Sequence, residues 1–203
     1  MLEWFSTWSV IKASGLTSYL LLFLSVSLGM FSYGKLMKPN IRGSLLIMHQ
    51  LSGWIGFLFG LLHGLVLTID SYQPFSYKDV FVPFAAEYHP LSSGLGTIAL
   101  YLFVIILVTS DWMKNFGRKV WRAIHYLAFP AFVLSLVHGL AAGSDTKQLW
   151  AQLFYLGTAV LFLIFVYIRV QYAADSSQTS QESASTENLR RARTKSAKRS
   201  GQA

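Results

Sequence analysis

Five stretches of this chain, at roughly 14–33, 44–69, 93–110, 120–142 and 149–169, are long and apolar enough to cross a bilayer, which takes about 20 residues of helix. Backbone N–H and C=O groups inside hydrocarbon must be satisfied within the protein, and that leaves few folds open. The expected fold is an all-α integral membrane protein, a five-span helical bundle over residues 1–172. Of the 203 residues, 53% are hydrophobic and only 13% charged, too apolar a balance for an ordinary soluble domain. The first stretch reads as a retained span. Glu3 precedes it, no basic segment opens it, and SLGMFSYGK offers no small-x-small cleavage site.

Charge orients the spans. The first connection carries Lys35, Lys38 and Arg42, and the third carries Lys114, Arg118, Lys119 and Arg122 against Asp111. The second holds Asp70, Asp79 and Glu87 against Lys78, and the fourth balances Asp145 with Lys147. Positive loops stay in the cytoplasm, so the amino terminus is expected outside and the carboxyl terminus inside; a bacterial plasma (inner) membrane is the expected location. Residues 173–203 contain almost no large apolar side chains and are expected to form a disordered basic cytoplasmic tail. Its Arg190, Arg191, Arg193, Lys195, Lys198 and Arg199 suit anionic lipid headgroups or an acidic partner, although a solvated tail that helps to set topology is the plainer reading. No nucleic-acid partner is expected.

Cysteine is absent, which excludes disulfides, thiolate-held iron–sulfur clusters and the C-x-x-C-H attachment of a c-type haem. Any metal has to be held by nitrogen or oxygen.

The segment HQLSGWIGFLFGLLHG, residues 49–64, sets two imidazoles in an otherwise apolar span. Steps of four, three, four and three residues lead from His49 through Gly53, Gly56 and Gly60 to His63, one stripe along one helical face. The two histidines stand about 21 Å apart along the axis and only about 40° apart around it. The fourth span repeats the arrangement with His125 and His138. Both spans run in the same direction, so His49 matches His125 in depth and His63 matches His138. A facing imidazole pair is what six-coordinate haem b requires, and a bare glycine surface would leave room for a flat porphyrin between spans two and four. Two haems are expected. Thirteen residues turn an ideal helix by about 220°, so His125 and His138 share a face only if a kink at Pro130 brings them into line; otherwise one haem is expected. In the competing reading the histidines bond to carbonyls between packed helices, and the glycines allow close helix approach.

The paired histidines, with GRKVWRAIHYLAFP opening the fourth span and VHGLAAGSDT closing it, resemble the ferric reductase-like transmembrane domain superfamily over roughly residues 14–170. That superfamily includes ferric-chelate reductases, the membrane half of NADPH oxidases, and the MsrQ (YedZ) haem subunits of bacterial methionine sulfoxide reductase systems. The resemblance implies a b-type cytochrome that carries electrons across the membrane, with His49, His63, His125 and His138 as axial ligands of the haem iron. A cytosolic flavoprotein or quinol is the expected donor, and ferric iron or an extracytoplasmic reductase subunit the expected acceptor. Many members have six spans where five are expected here, and larger members continue into flavin- and nicotinamide-binding domains. No flavin or nicotinamide site is expected in this chain. The string GLGTIA at Gly94 opens a span without a preceding strand and is not read as a dinucleotide site.

Arg122, one turn before His125, is the expected partner of a haem propionate, with Arg42, Arg118 and Lys119 at the same ends of the spans. On the opposite side Asp70, Tyr72, Glu87, His89 and Asp145 are candidates to guide Fe³⁺ or its chelate, although separated loop residues more often simply face water. Two other functions stay open. One is an MsrQ-like subunit feeding an extracytoplasmic oxidoreductase; the other is a haem-free scaffold or small transporter, which predicts no haem absorption.

Overall fold

A computed structural model describes residues 6–32, 39–71 and 75–200, and every regular element in them is helical. In chain order these are α1 (Thr7–Ser32), α2 (Pro39–Leu67), the short α3 (Tyr77–Phe81), α4 (Pro90–Asp111), α5 (Met113–His125), α6 (Ala128–Ala142), a 3₁₀ turn at Ser144–Lys147, and α7 (Leu149–Ser200). Four helices are long and apolar enough to span a membrane alone, and α5 with α6, bent by 42°, makes a fifth candidate. The chain is an all-α membrane bundle, as its apolar runs require. Lys35, Lys38 and Tyr72 lie outside the described residues.

The bend between α5 and α6 has a local cause. Pro130 has no N–H to give the Tyr126 carbonyl, four residues earlier, and its ring crowds that carbonyl. The helix breaks there: Phe129 N–H bonds the Tyr126 carbonyl instead, at 3.2 Å, and regular bonding resumes with Ala131 N–H to the Leu127 carbonyl at 2.9 Å. A second interruption falls at Gly117, whose φ of +78° is open to glycine at little steric cost.

Among the described residues, those up to 162 form one compact unit and those from 163 onward another. In the first, α1 and α2 pack as an antiparallel hairpin whose small residues interlock. Ser18 Oγ donates to the Gly56 carbonyl at 2.7 Å, and Ser25 Oγ donates to the His49 carbonyl at 2.9 Å. Leu22, Ala99, Phe103, Ile106 and Ala131 form the core between α1, α4 and α6. Beside it Tyr19 stacks on the fully buried Phe132, and its hydroxyl bonds Thr158 Oγ1 at 2.6 Å. Leu58, Leu62, Ile105, Val137, Leu153 and Leu156 are exposed. Hydrocarbon removes the cost such a surface carries in water.

In the second unit α7 continues as helix to Ser200, where the sequence leads to an expectation of disorder from residue 173. Ala, Gln, Glu, Arg and Lys in this stretch are good helix formers, and Ser177 and Thr179 bond back to carbonyls four residues earlier. The described side chains from 173 onward are exposed, so local propensity and not packing underlies the helix.

Candidate functional site

The four intramembrane histidines come together as two pairs. The imidazole centroids of His49 and His125 lie 5.9 Å apart, and those of His63 and His138 lie 6.2 Å apart. His125 closes α5 and His138 lies near the end of α6, so the break before Pro130 separates them. A straight rod would turn them to different faces; the bent pair lets each meet its counterpart on α2.

Three of the four rings are held from behind by a backbone carbonyl of the preceding helix of their hairpin. His63 Nδ1–H donates to the Ile11 carbonyl at 2.9 Å, His49 Nδ1–H to the Ser25 carbonyl at 2.7 Å, and His138 Nδ1–H to the Ser92 carbonyl at 2.7 Å. A carbonyl only accepts, so Nδ1 carries the proton and Nε2 is the ring nitrogen with a free lone pair. His125 differs: its Nδ1 faces Ser110 Oγ at 3.4 Å, and Trp121 stacks on its ring at a centroid distance of 5.0 Å. His63 and His138 border the open cavity described below.

Glycines on α1 and α4, which sequence reasoning missed, make room for these rings. A Cβ on Gly15 would fall 2.9 Å from His63 Nδ1, one on Gly29 3.1 Å from His49 Cε1, and one on Gly96 2.8 Å from His138. The expectation of a bare stripe between His49 and His63 is corrected. Gly53 meets Ser25, Gly56 meets Leu21 and Leu22, and Gly60 meets Ser18, because small residues let α1 and α2 approach closely. Gly60 also borders the cavity described next.

A cavity of about 510 Å³ opens beside His63 and His138. Its wall includes Lys12, Asp79, His89 and Asp145, and Lys12 Nζ bonds both carboxylate oxygens of Asp145 at 3.1 Å. The remaining loop candidates scatter. Asp70 is buried and accepts a bond from Thr7 Oγ1, Glu87 is exposed, and the described residues contain no cluster of three metal-ligating side chains. Arg122 is exposed one turn before His125 and one turn after Arg118.

Residues 14–136 match the family model of the ferric reductase like transmembrane component. The chain belongs to this family. The ferric reductase-like match takes in α1 from residue 14 and the whole of α2 and α4, with His49, His63 and His125, and ends two residues before His138. No curated protein and no solved structure matches the chain. Ser110, like the three ring-facing glycines, had no sequence signal of its own; its role depends on which helix lies opposite.

Proposed function

We propose that this ferric reductase-like protein is a di-haem membrane cytochrome that carries electrons between the two sides of the bilayer. The observation that supports it is the spacing of the imidazole pairs. Two metal–nitrogen bonds of about 2 Å, plus the half-width of each ring, put the centroids of two axial imidazoles about 6 Å apart. Pairs at 5.9 and 6.2 Å meet that requirement at two levels of the membrane. The Nδ1–H bonds add to it, because they fix the tautomer in which Nε2 ligates and raise its basicity.

Bound between these pairs, haem b supplies a one-electron ferric/ferrous couple. His49 and His125 would hold one such group and His63 and His138 the other, and two imidazoles to each iron would suit it to electron transfer. The levels stand about 21 Å apart by helical rise along α2. Lys12 is the only lysine or arginine in the described wall of the cavity beside His63 and His138, and it offers a cation to the cofactor's carboxylates there. Arg122 does so at the other level.

The basic residues Lys114, Arg118, Lys119 and Arg122 support a cytoplasmic position for the His49–His125 level by the positive-inside rule. A cytosolic flavoprotein or a quinol delivers electrons there. The acceptor, ferric iron or an extracytoplasmic oxidoreductase, takes them at the end where the cavity opens.

The test is haem stoichiometry with reduced-minus-oxidised spectra on protein purified in detergent. Two b-type haems per chain are expected, falling to about one in each single His→Ala variant. No haem after haem-replete expression would overturn the proposal in favour of a scaffold or transporter.

A further inference from the structure

Three of the four imidazoles are held by one repeated arrangement. The preceding helix offers a carbonyl that accepts the Nδ1–H bond, and a glycine four residues later clears the ring: Ile11 and Gly15 for His63, Ser25 and Gly29 for His49, Ser92 and Gly96 for His138. The fourth position breaks the pattern. On α4 the corresponding residues opposite His125 are Ile106 and Ser110, with serine where the other three have glycine.

That serine intercepts the bond. Ser110 Oγ–H donates to the Ile106 carbonyl at 2.6 Å, and Thr109 Oγ1 reaches it more weakly at 3.2 Å, so the carbonyl that the pattern assigns to the imidazole is taken chiefly by the Ser110 hydroxyl. His125 Nδ1–H is left facing Ser110 Oγ at 3.4 Å, long for a hydrogen bond. The same oxygen accepts from Trp121 Nε1–H at 3.2 Å. One donor and two acceptor positions exhaust what a hydroxyl has. The Trp121 ring in turn lies nearly parallel to the His125 imidazole, 29° apart, and closes the triangle.

We infer that Ser110 is a positioning residue that makes His125 a weaker electron donor than its three counterparts, and so raises the reduction potential of the iron shared by His125 and His49. This rests on the haem reading above. A short Nδ1–H bond to a carbonyl pushes electron density onto Nε2 and favours the ferric state. A long bond to a hydroxyl already engaged with two other groups does so less. The haem on the basic side is therefore held at a higher potential than glycine at position 110 would give it, while the level of His63 and His138 is unaffected.

The experiment is an optical redox titration of the purified full-length protein and four variants, Ser110→Gly, Ser110→Ala, Ser110→Thr and Trp121→Phe. In Ser110→Gly the Ile106 carbonyl is released to His125, and one of the two haem transitions is expected to move to more negative potential while the other stays. Ser110→Ala removes the acceptor without freeing space and is expected to move that same transition in the positive direction. Ser110→Thr keeps the hydroxyl and is expected to leave the two transitions in place; Trp121→Phe keeps a ring on His125 but frees an acceptor position on Ser110 Oγ, and is expected to move that same transition to more negative potential by less than Ser110→Gly does. Gly and Ala variants that shift alike, or not at all, overturn the inference, as does a Trp121→Phe shift equal to that of Ser110→Gly. If the Gly variant fails to assemble, Ala and Thr decide: a positive shift in Ala alone supports the role, and none in either ends it. Wild-type protein without haem overturns the cofactor reading, whereas wild-type protein with two haems and unmoved variants overturns only the part given to Ser110.

Discussion

Gly96 lies so close beneath the His138 imidazole that a Cβ at position 96 would fall 2.8 Å from both Nδ1 and Cε1. Real Cβ atoms do not come that near, so a side chain there displaces the ring, the Ser92 carbonyl bond, or α6 itself.

Gly96→Ala is therefore expected to weaken haem binding at the His63–His138 level about tenfold or more, in line with the roughly 1–3 kcal/mol of overpacking in a tight interior. Gly29→Ala meets His49 at a milder 3.1 Å and serves as the graded comparison, with a smaller loss at the other level. Haem titration of the apoprotein measures both. Equal effects would mean that helix packing, not the ring, decides.

The histidines were legible in the sequence because an imidazole in a 20-residue apolar run has few bland explanations, and their spacing along α2 gives a shared face directly. The glycine stripe of α2 was equally visible, yet its surroundings were not. Spacing fixes a face and says nothing of whether a helix or a cofactor lies opposite, and at Gly53 and Gly56 it is α1. The carbonyls of Ile11, Ser25 and Ser92 carry no side-chain signature at all. The likeness of the α1–α2 hairpin to the α4–α6 hairpin also escapes a search for a fixed period, because His49 to His63 spans fourteen residues and His125 to His138 thirteen, with the bend at Tyr126 absorbing the difference. The tail was read from its lack of apolar residues, which rules out a packed core but does not oppose a helix.

Pro130→Ala restores an N–H to bond the Tyr126 carbonyl and is expected to straighten α5 into α6. A helix interior gains about 3 kcal/mol when proline is removed, so the change favours local helix while turning His125 away from His49. The expected outcome is a stable protein with haem at the His63–His138 level retained and the other reduced, close to one haem per chain. Unchanged stoichiometry would show that contacts along α4, not the break, aim His125.

The capping box of α3 responds to acid. Ser76 N–H and Oγ–H both donate to Asp79 Oδ2 at 2.8 Å, while Asp79 N–H donates to Ser76 Oγ at 3.2 Å. The backbone bond from Ser76, more than its hydroxyl, holds the Asp79 carboxyl below the usual carboxylate range. A lowered folded pKa means that the cap is fully present above the ordinary Asp value and is lost as pH falls through the folded one. Amide exchange in α3 is expected to quicken over that acid window, and Asp79→Asn to quicken it at neutral pH and flatten the response. An acid response that survives in Asp79→Asn would point to another group.

Lys12 and Asp145 tie the start of α1 to the 3₁₀ turn that follows α6, at the mouth of the cavity beside His63 and His138. Their side chains are 40% and 27% exposed, so the bond is worth about 1 kcal/mol or less, and the ammonium remains available to a second anion. On the proposed reading that anion is a carboxylate of the cofactor. Lys12→Met is expected to lower the affinity of apoprotein for haem about fivefold and to leave the affinity for haem dimethyl ester, whose carboxylates are blocked, unchanged. Lys12→Arg should restore the difference, and Asp145→Asn should raise haem affinity by removing the competing carboxylate. Measuring all of these in a His49→Ala background confines the titration to one level. An equal loss with haem and its ester would reassign Lys12 to packing between α1 and the turn, because only a charge contact distinguishes the two ligands.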